Sequence, residues 1–327
     1  MSGNTPLIEA PKKRGGLYAL IAAAVVVVIA VVVGIVVAVN GANSSNADGG
    51  GAGDNAITEG KGSAADPVKI GVVGASDPYW ELYKDAAADE GISIELVNFS
   101  EYPLPNPALT EGELDLNQFQ HIVYLAQYNE DAGEDLTPIG ATAIYPLALY
   151  STQYDSVDDI PEGSTVAVPN DPSNLARSLL VLQSAGLVEL KGGGSIFSSL
   201  ADIDEANSKV KVTALEAALT ATSLPDVAAA ILNNDFVADA GLEFSDAIAK
   251  DDPTDPNALP YVNVFAARAD DKDNELYLKL VQIFQDTKSV QDGLIEVSGD
   301  TAVTLKTPVA DLVASLAKVQ SDVAAQG

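Results

Sequence analysis

The stretch VAVPNDPSNLARSLL, Val166 to Leu180, holds the residue types best suited to chemistry. Val166–Val168 reads as a buried strand, followed by a turn and a helix. Asp171 is a good N-cap, and Pro172 suits the first helical position because it needs no backbone partner there. Asn174 and Arg177 lie three residues apart and therefore share one helix face near its start. The chain carries a formal charge of −30 and only three arginines, Arg14, Arg177 and Arg268. An arginine beside a helix N-terminus in so acidic a chain can act as a carboxylate clamp, because its guanidinium fork fits a carboxylate in bidentate fashion and the helix dipole adds to the attraction. The alternative is a surface arginine in a salt bridge.

A second stretch, GELDLNQFQHIVYL, contains the only histidine, His121. The pattern predicts a short strand and then a helix from about Phe119, which puts Tyr124 and Leu125 at i+3 and i+4 from His121. Phe119 and Tyr124 flank the histidine, and Tyr102 lies upstream in EYPLPNP. Aromatic rings with polar edges can line a cleft for an apolar ligand tail, and they suit a thioether through sulfur–aromatic contacts. They can equally be core residues around a satisfied histidine. Asn233 follows the apolar run VAAAIL, and Asn263 sits within PYVNVFAAR. An amide in such a strand needs a partner, since unsatisfied burial is costly, so both are candidates for gripping a polar ligand end. A turn position for Asn233 and an edge position for Asn263 are the plainer alternatives.

Catalytic signals are weak. There is no G-x-S-x-G elbow, no G-x-G-x-x-G and no P-loop. Acidic residues are so numerous that some carboxylate pair always resembles an acid–base dyad. The runs DDPTDP (251–256) and DDKDNE (270–275) lack the glycine and terminal glutamate of a calcium loop and read as solvated turns. No metal or cofactor is expected. With no cysteine in the sequence, disulfides, thiolate metal sites, cysteine nucleophiles and cysteine-linked lipid are excluded. The net charge argues against nucleic acid and anionic membrane surfaces, which would repel it.

The elements that must position these residues alternate. Strands are predicted at 68–74, 92–99, 136–151 (two), 166–168, 210–212, 227–232, 260–268 and 302–305. Helices are predicted at 78–90, 172–185, two within 272–297, and an amphipathic one at 308–325. Alternation of this kind implies mainly parallel sheets covered by helices. About 260 residues exceed one sheet domain, so two lobes are expected, with 145–151 and 260–265 as crossing strands. Ligands in such folds bind at the carboxyl ends of strands and between domains.

The N-terminal part differs. Leu17 to Val39 is apolar, uncharged and long enough to span a bilayer. Lys12, Lys13 and Arg14 precede it, which places residues 1–16 in the cytosol and the rest outside. A cleaved signal peptide is the rival, although the run exceeds a typical apolar region of ~7–15 residues. Residues 40–67, rich in Gly, Ala, Ser, Asn and Asp, read as a flexible tether.

Taken together, EYPLPNPALTEGELDLNQF, FQHIVYL, VAVPNDPSNLARSLLVLQSAGL, AAAILNNDF and PYVNVFAAR resemble the NlpA-type solute-binding proteins, the methionine-binding components of ABC importers. The resemblance runs in order over roughly 68–305. It implies an α/β, two-lobed type II periplasmic binding protein fold, with lobe 1 at 68–146 and 262–327 and lobe 2 at 147–261. It further implies that Arg177 takes a ligand carboxylate, that Asn233 and Asn263 hold the amino-acid end, and that Asn174 supports Arg177. Tyr102, Phe119, His121 and Tyr124 would wall the side-chain pocket. The implied partners are methionine (L or D), a similar amino acid or a short methionine peptide, and an ABC permease with its cytosolic ATPase. Three departures stand out. No cysteine is present for a lipid anchor, Val123 replaces a usual proline, and Phe236 stands where tyrosine is frequent. A non-enzymatic, membrane-tethered importer component is thus expected. An extracytoplasmic hydrolase and an adhesive surface protein are the alternatives from other classes.

Overall fold

The computed structural model of the protein describes residues 56–255 and 257–325. The predicted cytosolic flank 1–16, the membrane-spanning run 17–39 and the greater part of the tether fall outside these residues. Among the described residues no helix is long and apolar enough to cross a membrane.

In chain order the main elements are β1 (Val68–Val73), α1 (Pro78–Asp89), β2 (Ile94–Phe99), α2 (Pro105–Thr110), β3 (Leu116–His121), α3 (Ile122–Ala132), β4 (Thr137–Ala141) and β5 (Ala143–Ile144). They continue with β6 (Ala148–Tyr150), β7 (Thr165–Pro169), α4 (Pro172–Ser184), β8 (Lys211–Leu215), α5 (Ala217–Ser223), β9 (Ala229–Leu232), β10 (Ala249–Lys250) and β11 (Asn263–Ala267). The chain ends with α6 (Glu275–Asp286), α7 (Lys288–Val297), β12 (Val303–Thr304) and α8 (Val309–Ala324).

Two five-stranded sheets result, ordered β2-β1-β3-β11-β4 and β10-β6-β9-β7-β8. Each is mixed rather than wholly parallel. In the first, β11 runs antiparallel to both neighbours, β3 and β4. In the second, β6 runs antiparallel to β9 and β10. β6 lies within, and β11 begins within, the segments read as crossings. A strand that enters a lobe from the other one arrives from the cleft side and inserts against the βαβ direction, which explains the reversal.

The first lobe's core joins β1, α1, α6 and α7. Trp80, fully buried on α1, packs against Tyr79, Tyr83 and Phe284 with ring centroids 4.7, 6.0 and 5.9 Å away. The sheet and α6 approach so closely at Gly140 that a Cβ there would overlap Val281 Cγ1. The C-terminal helix α8 buries Leu312, Leu316 and Val319 against Ile122, Leu125 and Ala126 of α3.

Two expectations need correction. The helix predicted from Phe119 begins at Ile122 instead, because residues 116–121 complete the sheet between β1 and β11. Phe119 is therefore a strand residue, and His121 is the N-cap of α3. The tether predicted to run to residue 67 does not extend over residues 57–66. Ile57 packs on the first core and donates its amide to Gly91, and Ser93 donates to the Gly62 carbonyl. Lys61 pairs with Asp66 at 2.8 Å and Asp115 at 3.1 Å. One apolar side chain, one cation and two backbone hydrogen bonds dock a segment whose composition reads as a free linker.

Candidate functional site

The carboxyl ends of β3 and β9, the start of α4 and the start of β11 converge on one cavity. Tyr102, Phe119, His121, Tyr124, Asn174, Arg177, Asn233 and Asn263 all line it. The eight predicted residues, spread from Tyr102 to Asn263 along the chain, thus meet in one place.

Arg177 is nine-tenths buried. Its Nε donates to Asp251 Oδ2 at 2.6 Å and its Nη2 to the Tyr145 carbonyl at 2.8 Å. The guanidinium carbon lies 4.3 Å from the centroid of the Tyr261 ring and over its face, a cation–π contact. Among the described residues Nη1 has no hydrogen-bond partner, so part of the donor fork is free for a ligand. The expected support from Asn174 is not what holds this arginine. Asn174 Oδ1 instead accepts from His121 Nε2 and Asn233 Nδ2, each at 3.2 Å. Its Nδ2 donates to both oxygens of Asp171 at 3.0 Å. Asp171 also caps α4 by accepting the Asn174 amide at 2.9 Å.

His121 caps α3 with Nδ1, which accepts the Tyr124 amide at 3.2 Å. Nδ1 must then be unprotonated, so the proton sits on Nε2 and points at Asn174 Oδ1. Burial and the Arg177 charge lower the imidazole pKa to about 3, so the ring is neutral at ordinary pH. Both ring nitrogens are engaged, which leaves no lone pair to serve as a general base.

Tyr102, Phe119 and Tyr124 form a cluster with centroid separations of 5.7 to 6.2 Å, and Phe236 closes on Tyr102 at 5.2 Å. The Tyr102 hydroxyl donates to Asp235 Oδ2 at 2.7 Å, joining the loop before α2 to the segment after β9. Burial pushes the Asp235 carboxyl up to about 7. Gln120 also lines the cavity. Asn106, Asn117 and Gln120 interlock behind it through amide hydrogen bonds of 2.6 to 2.9 Å. Asn233 Oδ1 is buried and has no partner among the described residues, an acceptor left over in the cavity region. Among the same residues no group of three or more metal-ligating side chains gathers.

Sequence reading missed Asp251, Tyr261, Tyr145 and Gln120. Tyr261 lay two residues from Asn263 in a quoted motif, so its ring was within reach of the pattern. Asp251 was hidden in an acidic run, where nothing local separates one partnered carboxylate from its solvated neighbours.

The sequence model of the NlpA lipoprotein family matches residues 68–304. The chain belongs to the NlpA lipoprotein family. The D-methionine-binding lipoprotein MetQ of Escherichia coli is 42% identical over 223 residues, which cover 67% of this chain and 81% of that protein. The substrate-binding protein of a methionine transporter from Streptococcus pneumoniae matches with a TM-score of 0.68 at 33% identity, over 73% of this chain and 95% of its own. A nutrient-binding protein from Burkholderia cenocepacia, solved bound to methionine, gives 0.67 at 35% identity, over 72% and 99%. The fold is therefore the α/β, two-lobed substrate-binding fold. Helix α8 starts at Val309, beyond the family match.

Proposed function

We propose that this chain is the extracytoplasmic binding component of an ABC importer, and that it takes methionine (L or D), a related amino acid or a short methionine peptide. One observation carries the reading. A single cavity offers a free guanidinium edge at Arg177, an unpartnered acceptor at Asn233 Oδ1, and an aromatic wall of Tyr102, Phe119 and Tyr124. Those are the complements of an α-carboxylate, an α-ammonium and a thioether side chain. In this reading Asn263 lies beside the amino-acid end. Asn174 aligns His121 and Asn233, and so tunes the polar half of the site.

The mechanism is binding rather than turnover, consistent with a histidine whose two nitrogens are already committed. Closure about the two crossings, between a first lobe of 68–146 with 262–327 and a second of 147–261, is driven by contacts that the ligand makes to both. The occupied head then docks on a permease driven by a cytosolic ATPase. Since the sequence lacks cysteine, attachment to the membrane falls to the apolar run 17–39, with residues 1–16 in the cytosol. A thermal-shift screen of the full chain against the common amino acids and D-methionine tests the assignment. Methionine should raise the melting temperature most; a screen in which no amino acid raises it refutes the proposal.

A further inference from the structure

The residue that fixes the arginine is itself fixed. Asp251 follows β10, whose Lys250 pairs with Ala148 of β6. Its Oδ1 accepts the Leu147 amide at 2.8 Å, and its own amide donates to the Leu147 carbonyl. Its Oδ2 takes the Arg177 Nε hydrogen at 2.6 Å. Both carboxylate oxygens are thus committed, one to the strand edge and one to the guanidinium. The Tyr145 carbonyl takes one Nη2 hydrogen from the same stretch of chain.

We propose that Asp251 is a positioning residue for the ligand's carboxylate: it locks the Nε edge of Arg177 so that the Nη1–Nη2 edge faces the cavity. The inference rests on the amino-acid reading above. An arginine has five N–H donors in a rigid plane and can present more than one bidentate edge. With Nε and one Nη2 hydrogen occupied, the edge that remains is Nη1 with the second Nη2 hydrogen. The Tyr261 ring, 4.3 Å from the guanidinium carbon, covers one face of the group. A competing role, in which Asp251 occupies the place of the ligand carboxylate, is disfavoured by this division. Asp251 and a ligand would use different hydrogens. The pair also leaves the polar end of the site without a net charge of its own, which matches a zwitterion better than an anion.

Asp251→Asn separates positioning from scaffolding. Asparagine keeps the oxygen that accepts from Leu147 but can turn an N–H₂ toward Nε–H, which removes only the grip on Arg177. Calorimetry on the full chain, with methionine and methioninamide as probes, reads the effect. Asp251→Asn should weaken methionine at least tenfold and reduce the methionine-to-methioninamide affinity ratio at least tenfold, while Asp251→Glu restores part of both. Unchanged methionine affinity in Asp251→Asn overturns the inference, as does an equal loss for both probes, which marks a purely structural role. Failure of the wild-type chain to bind methionine overturns the function itself, and this inference with it.

Discussion

Replacing Arg177 by alanine tests the centre of the site. The guanidinium edge left free beside Asp251 can give a ligand carboxylate two charge-assisted hydrogen bonds, worth about 1.5–3 kcal/mol each. Their joint loss leaves a desolvated carboxylate unpaired, for a total of roughly 3–5 kcal/mol. At about 1.4 kcal/mol per decade, methionine affinity should fall by two to nearly four orders of magnitude. Calorimetry with the full chain measures it directly. The same change strips Asp251 of its partner, so the ligand-free chain should also melt lower. Arg177→Lys controls for that effect. It keeps a positive charge near Asp251 but lacks the planar fork, so it should fall between wild type and alanine. If Arg177→Ala binds methionine within threefold of a wild-type chain that binds it well, the clamp argument is wrong.

Other outcomes follow from the same geometry. His121 has its pKa lowered to about 3, below the ordinary 6.5, so its share of stability is present above pH 6.5 and is lost as pH falls toward 3. His121→Asn should remove about 2 kcal/mol of that loss by pH 5, seen as a flatter melting temperature between pH 6.5 and 5. Asp235 has the opposite sign. Its pKa, raised to about 7, gives stability that is present below about pH 4 and drains as pH rises through 7, so Asp235→Asn should flatten the melting profile over that window. Gly140→Ala should cost about 1–3 kcal/mol by overlap with Val281, and Val281→Ala in the same chain should recover part of it in urea unfolding. Leu312→Ala, at a fully buried position of α8, should cost roughly 2–5 kcal/mol by the same measurement; a cost below 1 kcal/mol would mean the helix is not part of the core.

Much of the fold was legible because its signals are local. Asp171 and Pro172 announce the start of α4, and Pro67 and Gly74 bound β1. The error at Phe119 has a physical cause. LNQFQH carries polar residues on both faces of a fully buried strand, and no periodicity distinguishes that from a helix start. The amides are tolerated there because Asn106, Asn117 and Gln120 satisfy one another, a fact of tertiary structure. The site was legible where a residue type was rare in this chain, as with arginine and the single histidine. It was opaque where the type was common. Asp251 reaches Arg177 across 74 residues, and only the pairing of β10 with β6 brings it there.

The single tryptophan gives the molecule an uneven optical signature. Trp80 sits wholly inside the first lobe, ringed by Tyr79, Tyr83 and Phe284, while the second lobe has tyrosine and phenylalanine only. Intrinsic emission excited at the red edge therefore follows the melting of one half and is blind to the other. A denaturation curve recorded that way would miss a state in which β6–β10 have come apart, so any claim of concerted unfolding needs a second probe, such as far-ultraviolet dichroism, that sees both halves.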